Sequence, residues 1–131
     1  MTTISRLFAW GSVALYCLFI FFISSQSQLP LLEGVPENDK AAHMAEYAVL
    51  GWLFARALRR ERPRLSIGAL VFFSAVFVAT YGASDEWHQA YVLGRYADRL
   101  DFLADLGGGA LGAFGYAVWF AVWRRGEGHT H

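Results

Sequence analysis

Two stretches of this chain, Leu7–Ile23 and Leu65–Ala83, run for 17 and 19 residues without an acid or a base. A helix crosses a bilayer core with roughly 17–25 residues of this kind. Two further blocks of similar length, Ala41–Leu58 and Leu103–Trp123, are apolar apart from a few ionisable residues. The competing architecture is a soluble four-helix bundle, whose helices need a polar face. The run Val71-Phe72-Phe73-Ser74-Ala75-Val76-Phe77-Val78 offers none. Only 17% of the residues are charged, against about a quarter in an ordinary soluble domain. The expected fold is an all-α integral membrane protein: a compact bundle of four transmembrane helices forming one domain over residues 1–131.

The first block also resembles a secretory signal, with Arg6 before it and the small polar run Ser24-Ser25-Gln26-Ser27 after it. Its 17 apolar residues exceed a typical signal core of roughly 7–15, so a retained helix is expected. Cys17 is the only cysteine, which excludes an intrachain disulfide and reads as buried filler. The ending His129-Thr130-His131 is too short for a metal site.

Charge sets the expected orientation. Arg6, Arg56, Arg59, Arg60, Arg62, Arg64, Arg124 and Arg125 flank one set of helix ends, while Lys40, Arg95 and Arg99 flank the other. Eight bases against three is a positive-inside signal, placing both termini in the cytoplasm. Headgroup anchoring explains the arginines without any nucleic-acid partner. Trp10, Trp52, Trp119 and Trp123 are expected near the interfaces. Nine acids then lie at or beyond the outer ends: Glu33, Glu37, Asp39, Glu46, Asp85, Glu86, Asp98, Asp101 and Asp105. Only Glu61 and Glu127 lie inside.

Those outer residues carry the candidate chemistry. Asn38 is the expected N-cap of the second helix, and helical spacing puts Asp39, His43, Glu46 and Tyr47 along one side. Glu46, inside an apolar block, is expected to face protein or water rather than lipid. At the end of the third helix, Glu86 shares a side with Gln89, as do Asp85, His88 and Gln89. Asp101 and Asp105 are one turn apart at the start of the fourth helix. The predicted ligand-binding set is Asp39, Lys40, His43, Tyr47, Glu86, Gln89, Arg95, Asp101 and Asp105. Arg95 and Lys40 suit a phosphate or carboxylate. Catalytic candidates are His43, Glu46, Glu86 and His88, with a histidine as general base and a glutamate orienting it.

Plainer readings stand beside these. The same groups can simply tie helix ends together. No resident cofactor is expected; a divalent metal on His43, Glu46, Glu86 and Asp105 is an alternative, without a signature such as H-E-x-x-H. Gly107-Gly108-Gly109 with Gly112 and Gly115 gives small-xxx-small spacing, allowing close approach of a helix within the chain or a homo-oligomer through the Gly108/Gly112 face.

These residues resemble the VanZ-like family. The resemblance rests on Asp39-Lys40-x-x-His43-x-x-x-Tyr47 with Leu50-Gly51, then Asp85-Glu86-x-His88-Gln89, Gly94-Arg95, Asp98, Asp101, Gly108 and Gly112. It covers roughly residues 38–115. Two positions depart from it: Leu93 stands where proline commonly precedes the Gly-Arg pair, and Asp105 where asparagine is common. The resemblance implies a bacterial cell-envelope protein of the cytoplasmic membrane. The family's named member is associated with resistance to teicoplanin, a lipoglycopeptide. The expected partners are membrane lipids, with a lipid-linked wall precursor or a lipoglycopeptide as ligand and no nucleic acid. The alternatives are a membrane enzyme acting on a lipid phosphate or ester, and a proton or ion pathway through Glu46 and Asp105.

Overall fold

The structure, a computed structural model, describes residues 2–25, 40–94 and 99–127. Those residues form four helices: α1 (Thr3–Ser24), α2 (Lys40–Glu61), α3 (Ile67–Gln89) and α4 (Arg99–Glu127). α1, α3 and α4 are each long and apolar enough to cross a membrane. α2 has 22 residues but carries His43, Glu46 and Arg56 among its apolar ones.

The helices outrun the apolar blocks because backbone hydrogen bonding continues into their polar flanks. α1 starts under a Thr2 cap whose hydroxyl accepts from the Ser5 amide at 3.3 Å. The third helix starts two residues later than its apolar block. Ser66 caps it, accepting from the Ala69 amide at 3.2 Å, while Leu65 stays in the turn. That turn is clamped by Arg59, whose guanidinium donates to the carbonyls of Pro63 and Leu65. Arg59 is only 9% exposed and lies 5.5 Å from the Phe120 ring centre. It is a buried clamp rather than the expected headgroup anchor. Arg56 likewise turns inward, donating to the Ser12 hydroxyl at 2.7 Å.

α2 is the central element, packed against α1, α3 and α4. Its most extensive partner is α4, which runs parallel to it. Gly108 lies against the Met44 backbone and Gly112, one turn on, against the Ala48 backbone. Gly51 meets the Gly109 backbone in the same seam. A Cβ at any of these three glycines would overlap main-chain atoms of the opposite helix. The Gly108/Gly112 face is thus taken up within the chain.

α1 runs antiparallel to α2, packing Ala9, Val13 and Ile20 into the core and adding polar ties. Arg6 lies 3.6 Å from Glu61 at one end. Tyr16 donates to the Glu46 carbonyl at 3.0 Å, and Tyr81 of α3 to the Cys17 carbonyl. Half-buried Cys17 is therefore part of the α1–α3 contact. The remaining described surface is studded with exposed Leu, Phe, Val and Trp side chains, as a lipid-facing exterior requires.

Candidate functional site

Alternating helix directions bring the end of α1, the start of α2, the end of α3 and the start of α4 to one side. Two linked polar groups occupy that side. In the first, Lys40 Nζ lies 2.6 Å from Asp101 Oδ1. The His43 imidazole lies between two carboxylates, with Nδ1 2.9 Å from Asp105 Oδ1 and Nε2 3.9 Å from Asp101 Oδ2. The spacings explain the fit: residues 40 and 43 on α2 lie one turn apart, as do 101 and 105 on α4. The parallel glycine seam below holds the two rows level. Asp101 also sits in the first turn of α4, where the helix dipole favours a negative charge.

The second group lies deeper. Tyr47, fully buried, donates to Asp85 Oδ2 at 3.1 Å, and Gln89 donates to the same oxygen at 3.1 Å. The Gln89 amide also approaches the Ser24 hydroxyl at 3.4 Å, tying in the end of α1. Asp85, Asp101 and Asp105 are all buried, so each carboxylate depends on protein partners in place of water. Asp85 Oδ1 and Asp105 Oδ2 have none among the described residues.

Of the expected site residues, the structure joins Lys40, His43, Asp101 and Asp105 in one cluster, and Tyr47 and Gln89 in the other. Glu46 and Glu86 are half-buried on the same helices. His88 turns toward α1, its ring stacked on Phe21 at 4.4 Å. Asp39, Arg95 and Asp98 lie outside the described residues. Among the described residues, no three His, Cys, Asp or Glu side chains group as a metal site. The divalent set of His43, Glu46, Glu86 and Asp105 is therefore not assembled in this arrangement.

Asp85 and Ser24 were absent from the expected site. Asp85, one position from Glu86, supplies the α3 carboxylate that meets Tyr47 and Gln89. A signal for it was present: the buried face of α3 runs Leu70, Ser74, Val78, Gly82, Asp85, Gln89, a repeat of three or four that includes 85 and skips 86. Ser24 had no comparable signal.

Neither a curated protein nor a solved structure matches the chain. The family model described as VanZ/LLP1 matches residues 8–120, which take in most of α1 and α4, all of α2 and α3 and both polar clusters, and the chain accordingly belongs to the VanZ/LLP1 family.

Proposed function

We propose that this protein is a four-span component of the bacterial cytoplasmic membrane, with both termini cytoplasmic and the polar clusters at the outer face. Its function in this reading is to bind an amphipathic ligand there. The ligand is a lipid-linked wall precursor, a lipid headgroup or a lipoglycopeptide. The last would connect the chain to glycopeptide resistance such as that of teicoplanin. The observation that carries the reading is the Lys40–Asp101–His43–Asp105 cluster at one end of the bundle. Lys40, with 37% of its side chain exposed, is its most open member and would meet a phosphate or carboxylate. The carboxylates would accept hydroxyl or ammonium groups of the head, while the tail lies along the apolar helix faces. Arg95, by its place in the sequence, would add a second cation. Protein in lipid nanodiscs should bind a polyprenyl phosphate more tightly than phosphatidylcholine, and Lys40→Gln should weaken that binding. Equal binding by wild type and variant would sink the assignment.

The His43–Asp105 contact favours a second reading, a membrane enzyme acting on a lipid phosphate or ester. A carboxylate on Nδ1 fixes the ring and leaves Nε2 as the working nitrogen, as a general base requires. Incubation with polyprenyl phosphate or phospholipid distinguishes the two: product that disappears in His43→Ala establishes turnover, and intact substrate supports binding alone.

A further inference from the structure

The turn between α2 and α3 is more firmly built than loose attachment to a membrane surface requires. The Arg62 amide donates to the Leu58 carbonyl at 2.7 Å, and the Leu65 amide to the Arg62 carbonyl at 3.1 Å. From the buried side, the Arg59 guanidinium donates to the carbonyls of Pro63 and Leu65. A cleft of about 700 Å³ opens at this turn, lined by Glu61, Arg62, Pro63, Arg64 and Leu65. That lies within the roughly 300–1,000 Å³ of small-molecule sites.

Arg62 and Arg64 are exposed, and neither has an ion-pair partner among the described residues. The acid of the lining, Glu61, lies 3.6 Å from Arg6 of α1. Arg59 sets a third guanidinium behind the turn, so the cleft is positive overall. Planar guanidinium groups suit a phosphate, which they can grip at two points. α3 begins directly after the turn and is long and apolar enough to cross a membrane. Its first two turns expose Ile67, Phe72 and Phe73, and nothing lies within 4 Å of a Cβ placed at Gly68. An anion that carries acyl chains can use the charged cleft and the apolar helix together. A soluble anion would leave the second surface unused.

We infer that this cleft holds the phosphate of an anionic phospholipid, with the acyl chains along the first turns of α3. The site is at the opposite end of the bundle from Lys40 and His43 and stands or falls apart from the amphipathic-ligand reading. General attraction to headgroups depends on how much basic charge is near the surface. A site depends also on where that charge is fixed. Native mass spectrometry of the full chain, released from mixed micelles of phosphatidylglycerol and phosphatidylcholine, separates the two. Wild type should retain phosphatidylglycerol in preference to phosphatidylcholine. Arg62→Gln combined with Arg64→Gln should lower the phosphatidylglycerol affinity about tenfold or more, as two lost basic contacts require. Arg124→Gln combined with Arg125→Gln removes the same charge from the end of α4, outside the cleft, and should leave the affinity near the wild-type value. All four side chains are exposed, so both variants should fold; if the first does not, Arg64→Gln alone decides. Equal retention of the two lipids overturns the inference, as do equal losses in the two double variants. Displacement of the lipid by soluble glycerol phosphate overturns it as well, since the acyl chains would then contribute nothing.

Discussion

α1 and α4 both pack on α2, but by different means. α4 meets it backbone to backbone through Gly51, Gly108 and Gly112, with no room for a single added carbon. α1 meets it through side chains that reach across: Tyr16, Arg56 and Arg6, with Tyr81 and Gln89 of α3 completing the attachment. In lipid there is little hydrophobic force between helices, so close van der Waals packing and hydrogen bonds hold them together. The glycine seam uses the first, and α1 adds the second to the apolar packing of Ala9, Val13 and Ile20. The difference bears on function, because the seam sets the level of Lys40 and His43 against Asp101 and Asp105. The α2–α4 half of the site is thus set by backbone contact, while the α1 side adds bonds that can be broken singly.

The comparison breaks most severely at Gly112. Gly112→Ala should destabilise the fold by about 3 kcal/mol, the upper end for overpacking, because the obstacle is the Ala48 main chain and cannot rotate away. Gly11→Ala on α1 is the matched control: nothing lies within 4 Å of the added carbon. It should be neutral or stabilising by up to about 1 kcal/mol, since alanine is the better helix former. Unfolding of both variants in mixed micelles measures the contrast. Similar losses at the two positions would remove the distinction between the helices.

The next effect lies on top of the seam. A double-mutant cycle between His43→Ala and Asp105→Ala should give a coupling of about 1.5 kcal/mol, the low end for a charge-assisted bond. Repeating the cycle in Gly112→Ala sharpens the argument. If the seam positions the pair, its coupling should fall sharply there. A coupling that is unchanged would show that the cluster aligns itself.

The same contrast explains how much could be read before the structure was known. Small-xxx-small spacing marks a face of close approach, and that face exists. It does not say which helix fills it, because Gly108 and Gly112 would accept any backbone; the partner proved to be α2 of the same chain. Helical spacing placed Lys40, His43, Asp101 and Asp105 near one end, and parallel packing then brought them into contact. Choosing between Asp85 and Glu86 required the phase of α3, since adjacent residues point about 100° apart on a helix of 3.6 residues per turn. Arg59 was misjudged for a related reason. Its charge suggested an anchor in the headgroups, but the turn after α2 needed a donor for two carbonyls, and only folding shows that need.

On the α1 side the effects should be smaller. Tyr81→Phe removes the donor to the Cys17 carbonyl and should cost about 0.6 kcal/mol, the average for hydrogen bonds between membrane helices. Cys17, the single cysteine, reports the consequence directly: maleimide labelling should quicken as α1 loosens. An unchanged labelling rate would mean that apolar packing through Ala9, Val13 and Ile20 holds α1 on its own.

Lys40→Gln should have the least effect on stability of all. The lysine lies at the mouth with more than a third of its side chain open, so its bond to Asp101 is weakened by solvent. Because glutamine keeps an N–H donor for the buried Asp101, a loss within about 0.5 kcal/mol is expected. Its effect on anionic-lipid binding should be disproportionately large, because in the proposed reading the Lys40 ammonium is the cation that meets the headgroup. Measuring both quantities on one preparation separates them. A stability loss as large as that of Gly112→Ala would make Lys40 a strut of the α2–α4 pair, and the mouth of the bundle would then belong to its architecture rather than to its ligand.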